Sequence, residues 1–323
     1  YTNSSAVYYK GLVWLGISGS EGITPGLEAV TPALGLGNRA GGFAIVDAAN
    51  GNLLVRTRTV PEEEFAVRGD GGGSIWSTMA VDDDGFGYAG TGQPSPWIGS
   101  IQSDYTNAIV KIDMERERDG AANENFGKIV GVFRGTPDLG RDVDFAGSPT
   151  LYEVEGVQMA AAIQKSGVLH AGSTGDMVHV WEFPLSAVAS PLYNFCSVAN
   201  DGKNIYGVGA IPGQIWSIDA ASGGRPNWVQ RVDTELAANP VAVANGVVYH
   251  NDQGGNLNAF DAATGATLLL RDMSADVGTE CTNVGGGLAI ARNTIYSVCG
   301  ERGGDGIGPS DQPSGWVIAY RPQ

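Results

Sequence analysis

Five side chains of this 323-residue chain are of the types that cation binding and proton transfer require: the acids Glu21 and Asp142, the amide of Gln93, the indole of Trp76 and the amine of Lys165. A carboxylate can ligate a hard cation and accept a proton from a hydroxyl within hydrogen-bond reach. An amide oxygen suits calcium, which takes about 6–8 oxygen ligands. Each residue also has a plainer reading. Glu21 is then a solvated loop acid, Trp76 a packing aromatic, Asp142 and its neighbour Asp144 turn caps, and Lys165 a solvated turn lysine.

The surrounding stretches say what would position them. Residues 71–93, GGGSIWSTMAVDDDGFGYAGTGQ, read as two short strands, 75–81 and 86–89, joined by the acidic turn 82–85. Such a hairpin carries Trp76 in and Gly90-Thr91-Gly92-Gln93 out at one end, so indole and amide come close together. Glu21 follows an apolar strand in GLVWLGISGSEG, and Asp142 lies in GTPDLGRDVDFAGSPTL. Lys165 sits in the tight turn between two apolar strands of MAAAIQKSGVLHA.

Four segments repeat one device, an apolar strand ending in Asp and followed by a turn: FAIVDAANG, IVKIDMERERDG, IWSIDAASG and NAFDAATG. The carboxylate accepts N–H groups of its own turn, the closing glycine takes a positive φ, and the next strand returns antiparallel. Asp219 and Asp261 stand about 42 positions apart, a blade-like period. With 49 glycines, 17% charged residues and little helical periodicity, the chain reads as all-β, a β-propeller of four-stranded antiparallel blades. Six blade segments are expected within one domain: 1–60, 61–138, 139–186, 187–235, 236–276 and 277–323. The second is enlarged by a polar insert at 115–125, expected to be a solvated loop.

A net charge of −16 without a basic stripe argues against nucleic-acid binding. No apolar run approaches the roughly 20 residues of a membrane-spanning helix. His170, His179 and His250 show no metal-ligand spacing and no nucleophile beside them, and neither a phosphate-cradling loop nor a dinucleotide fingerprint is present. Of three cysteines, Cys281 and Cys299 flank neighbouring strands, which leaves a disulfide or two free thiols as alternatives. Oxidation there would favour an exported protein.

Four motifs, in order, resemble the pyrroloquinoline quinone (PQQ) dehydrogenases, a family of eight-bladed propellers. GGGSIWSTMAVD leading to GTGQ is similar to that family's GGG-[ST]-x-W-x-S-x-A-x-D leading to G-T-G-N. GISGSEG resembles G-x-G-G-A-E-x-G, TPDLGRDVD before a Ser-Pro strand resembles T-P-H-D-L-W-D-Y-D, and AIQKSGVLHA resembles A-x-x-K-[NS]-G-x-x-Y-A-L-D. The resemblance implies PQQ and Ca²⁺ as cofactors, with Trp76 as the floor beneath the quinone and Lys165 donating to its oxygens. It implies Glu21, Gln93 and Asp142 as metal ligands, Glu21 also lining the cofactor site, and Asp142 as the base that takes the alcohol proton. Asp144 is the nearby alternative to Asp142. Gln93 replaces the family's Asn, and Arg141 stands where Trp is usual, a cation that would lower the pKa of the adjacent acid.

The resemblance further implies about two blades ahead of those visible, whereas closure with six is the competing possibility. It also implies a periplasmic or secreted enzyme acting on a small-molecule or polymeric alcohol, closest to the polyvinyl-alcohol-dehydrogenase-like branch. A cytochrome c is an implied electron acceptor, although no haem-attachment C-x-x-C-H occurs here. The alternative is a cofactor-free propeller serving as a protein-interaction platform.

Overall fold

The computed structural model describes residues 4–19, 40–60, 71–95, 105–137, 143–187, 194–232, 239–282, 286–300 and 315–321. Among them, five four-stranded sheets and one three-stranded sheet follow one another along the chain. The first contains Val7–Tyr9, Leu12–Ile17, Gly42–Asp47 and Leu53–Arg58. The second is built from Ala80–Val81, Phe86–Gly90, Ala108–Asp113 and Ile129–Arg134. Thr150–Val154, Val157–Ile163, Val168–Ser173 and His179–Pro184 form the third.

Ala199–Asn200, Asn204–Gly209, Gln214–Asp219 and Pro226–Arg231 form the fourth, and Val241–Ala244, Val247–Asn251, Asn256–Asp261 and Thr267–Asp272 the fifth. The sixth has Ala289–Ala291, Thr294–Gly300 and Gly315–Tyr320. Each sheet falls within one of the segments that the repeat reading separates. The fold is all-β, and its unit is the antiparallel propeller blade.

The chain divides into two compact units, Tyr1–Glu182 with Ala189–Leu192, and Phe183–Val188 with Tyr193–Gln323. In the first unit, Trp14, Phe43 and Ile45 of the first sheet pack with Ile75, Met79, Val110 and Ile112. Tyr88, Ile109 and Phe133 of the second sheet pack in turn with Phe145, Ala160 and Ala162. The inner strands are therefore buried on both faces, as MAAAI within Val157–Ile163 shows. In the second unit, Trp228 packs with Tyr206 and Phe260, and its Nε1 donates to the Ala262 carbonyl at 2.9 Å. Gly265 (φ +73°) is needed there, because a Cβ would meet the indole at 2.7 Å.

The repeated aspartates do what their turns require. Asp47 Oδ1 accepts from Ala49 N–H, Asp219 Oδ1 from Ala221 and Ser222 N–H, and Asp261 Oδ1 from Ala263 and Thr264 N–H. Gly51, Gly223 and Gly265 each donate back to the carbonyl of the same Asp.

Three local expectations need correction. After Asp113 the closing glycine is Gly127, whose N–H meets the Asp113 carbonyl at 2.7 Å, not Gly120. The intervening insert is exposed over most of its length, as expected, but it is a short hairpin rather than a loop: Glu117–Arg118 pairs with Ala121–Ala122, Arg118 forms an ion pair with Asp113, and Arg116 reaches Asp47 of the first sheet. Similarly, the strand foreseen at 75–81 shrinks to Ala80–Val81, while Gly71–Gly72 pairs separately with Pro94–Ser95.

The cysteine alternatives resolve into a disulfide between Cys281 and Cys299, with Cα atoms 5.3 Å apart; Cys196 is a buried free thiol. No helix among the described residues is long and apolar enough to cross a membrane.

Candidate functional site

Loop ends belonging to three consecutive sheets of the first unit meet around Trp76. Gly73 N–H donates to the Gln93 carbonyl and Gly92 N–H to the Ser74 carbonyl, each at 2.8 Å. The two ends of the 71–93 stretch are therefore joined, as expected, by loop hydrogen bonds rather than by a long hairpin, and Gln93 is linked to Trp76 through Asp144 and Lys165. Glycine is obligatory in this crossing: a Cβ on Gly41 would stand 2.5 Å from the Gly73 carbonyl oxygen and the Ser74 Cα. Gly19 N–H donates to Ser74 Oγ at 2.6 Å, so the loop that leaves the second strand of the first sheet starts at this same point.

The third sheet contributes the charged pair. Asp144 lies just ahead of its first strand, and Lys165 lies in the turn between Val157–Ile163 and Val168–Ser173. Lys165 N–H donates to the Asp144 carbonyl at 2.8 Å, and Lys165 Nζ donates to Asp144 Oδ2 at 2.9 Å. The other carboxylate oxygen accepts the Gln93 backbone N–H at 2.7 Å. Lys165 Nζ also sits 4.9 Å from the centre of the Trp76 ring, within cation–π range. Asp144, Lys165 and Gln93 are all buried. An ion pair removed from water this far persists only when its partners and hydrogen bonds are complete.

Four sequence-derived residues can thus be placed: Trp76, Gln93, Lys165 and the alternative acid Asp144 are one cluster. Glu21 and Asp142 lie outside the described residues, as does Arg141. Lys165 is not the solvated turn lysine of the plainer reading, because its turn folds inward over Trp76.

Sequence reasoning missed Asn107. It is fully buried, its N–H donates to the Gly92 carbonyl at 2.9 Å, and neither side-chain atom has a hydrogen-bond partner among the described residues. The indole Nε1 of Trp76 is likewise unpartnered there. Unpaired buried polar atoms cost about 1–3 kcal/mol each unless something satisfies them. The Trp76 face beside the buried Lys165 amine is a pairing that a flat anionic ring can use, whereas both Asp144 oxygens are already engaged, by Lys165 and by Gln93 N–H. Asn107 has no sequence signal, since an Asn ahead of an apolar strand reads as a turn residue.

A second group was also missed: the histidines have no metal-ligand spacing along the chain, yet two of them meet an acid in space. His170, His179 and Glu182 converge on the last two strands of the third sheet, with His170 Nδ1 3.1 Å from His179 Nε2 and 3.4 Å from Glu182 Oε2. Burial, helped by the neighbouring His179, pushes the pKa of His170 down to about 3. Spacing alone hid the group, because two antiparallel strands bring together residues nine positions apart.

No protein-family model matches the sequence, and no curated protein matches it. The fold, by contrast, is shared with solved structures. Quinohemoprotein alcohol dehydrogenase from Comamonas testosteroni superposes with a TM-score of 0.63 at 15% identity, over 92% of this chain and 55% of that one. Quinohemoprotein alcohol dehydrogenase ADHIIG from Pseudomonas putida HK5 gives 0.65 at 13% identity, over 92% and 55%. A europium-containing methanol dehydrogenase gives 0.66 at 14% identity, over 93% and 65%. The chain has the propeller fold of the PQQ alcohol dehydrogenases and spans just over half the length of the two quinohemoproteins. A computationally designed protein, Ika8, also matches, with a TM-score of 0.55 over 98% of this chain. The likeness is thus one of architecture, and chemistry must be argued from the site.

Proposed function

We propose that this chain forms part of a PQQ- and calcium-dependent dehydrogenase that oxidises an alcohol to an aldehyde or ketone. The observation that carries the reading is the stacking of Lys165 Nζ over Trp76 while it holds Asp144, whose other oxygen is fixed by Gln93 N–H. When bound, the quinone would supply the hydride acceptor and calcium the Lewis acid. Trp76 offers the flat floor, Lys165 the cationic donor to quinone oxygens, and Asn107 an amide with unused hydrogen-bonding capacity.

In this reading Glu21, Gln93 and Asp142 are the metal ligands and Asp142 removes the alcohol proton, with Asp144 held by Lys165 to orient that loop. The substrate is a small-molecule or polymeric alcohol, as in the polyvinyl-alcohol-dehydrogenase-like branch, and the electron acceptor a cytochrome c. The Cys281–Cys299 disulfide supports a periplasmic or secreted location, since such bonds persist in oxidising compartments.

The test is titration of the full-length protein with PQQ and Ca²⁺, following quinone absorbance and alcohol-dependent dye reduction. Saturable PQQ binding lost in Trp76→Ala, with turnover lowered about 10²–10⁴-fold in Asp142→Asn, is the expected result. A protein that binds neither PQQ nor Ca²⁺ is instead the cofactor-free interaction platform.

A further inference from the structure

We propose that His170, His179 and Glu182 form a binding site for a borderline divalent transition ion, Zn²⁺ foremost, at the outer edge of the third sheet. The three donor atoms stand 3.1, 3.4 and 3.9 Å from one another. Two ligands about 2.0–2.1 Å from a tetrahedral Zn²⁺ are separated by about 3.4 Å. The observed triangle is therefore close to one face of a zinc tetrahedron.

Hydrogen bonding fixes which atom of His170 is free to ligate. Thr136 N–H donates to Gln164 Oε1 at 3.0 Å and Gln164 Nε2 donates to the Thr136 carbonyl at 2.9 Å, so the backbone identifies the amide oxygen. His170 Nε2 lies 3.1 Å from that oxygen and must carry the hydrogen, leaving a lone pair on Nδ1. That lone pair faces His179 Nε2 at 3.1 Å and Glu182 Oε2 at 3.4 Å, so it takes either the His179 hydrogen or a cation shared by all three. With a cation bound, Gln164 is the outer partner that orients a ligating imidazole.

The rest of the setting suits a bound ion. Phe145 and Phe133 place their rings edge-on against His170 and His179, with centroids 5.5 and 6.3 Å apart, which restrains the imidazoles. His170 is buried, whereas the side chains of His179 and Glu182 keep 34% and 60% exposure, so an ion can enter and water can take a fourth position. Two imidazoles and one carboxylate select zinc, cobalt or nickel over calcium, which needs more oxygens. The ion would tie strand His179–Pro184 to strand Val168–Ser173, and its three ligands are none of the residues of the Trp76–Lys165–Asp144 cluster.

Calorimetric titration of the full, chelator-treated protein with Zn²⁺, in excess Ca²⁺, tests this, alongside Co²⁺ absorption as a report of coordination. Expected are saturation with micromolar or tighter affinity, visible d–d bands from Co²⁺, and a raised unfolding temperature with Zn²⁺. Since His170 is buried, the substitutions are His179→Gln and Glu182→Gln, with folding checked by circular dichroism and His250→Gln as control. Each of the two should weaken Zn²⁺ at least tenfold, and the control should not. Absence of Zn²⁺ binding in the wild type, or undiminished affinity in either variant, overturns the proposal and leaves a plain His179-to-His170 hydrogen bond.

Discussion

Lys165 Nζ lies 2.9 Å from Asp144 Oδ2, and both side chains are more than nine-tenths buried. Removing one partner strands a charge away from water. Lys165→Met or Asp144→Asn should each lower unfolding free energy by about 3–5 kcal/mol, and the double variant should lose clearly less than the sum. Urea denaturation of the four proteins measures the coupling. Additive losses would show that the two groups do not act as a pair.

The Cys281–Cys299 bond closes a loop with a sequence separation of 18. A chain-entropy estimate for such a loop is about 3 kcal/mol. Cys299→Ser, or reduction of the wild type, should therefore lower the unfolding midpoint by several degrees. An unchanged midpoint would mean that the reduced chain keeps the same constraint.

His250 is buried, and that burial pushes its pKa down to about 4, against the pull of Asp252. The unfolded chain then binds the proton first as pH falls. His250 contributes full stability above about pH 6.5, and that contribution drains away between pH 6.5 and 4. His250→Gln should flatten the acid limb of a stability–pH profile taken by denaturant titration. A limb identical to the wild type would exclude this group as its source.

Trp228 joins the fourth and fifth sheets through one hydrogen bond to Ala262 and a broad packing face. Trp228→Phe should cost about 1–2 kcal/mol, whereas Trp228→Ala should cost about 3–5 kcal/mol through the cavity it leaves. Thermal unfolding distinguishes the two. Equal losses would assign the whole effect to the hydrogen bond.

Much of the architecture is written locally. An Asp after an apolar strand and a glycine four residues on specify a tight turn by their own hydrogen bonds, so Asp47, Asp219 and Asp261 mark outer hairpins in the sequence itself. The same logic marked the acidic turn after Val81, where Asp82 Oδ1 accepts from Phe86 N–H. It failed at Gly120, because an insert can separate Asp113 from its closing glycine without altering the pairing of the flanking strands.

What the sequence by itself determined is the all-β class, the succession of blade-like segments and the types of side chain available for chemistry, since these follow from short-range periodicity and turn residues. Only the tertiary structure decided that Asp144 is paired with Lys165, that Asn107 is left unsatisfied, and that His170, His179 and Glu182 meet. Those relations depend on how strands align across a sheet and which loop ends converge where water is excluded. Burial and cross-strand proximity are properties of the packed chain, and no local spacing encodes them.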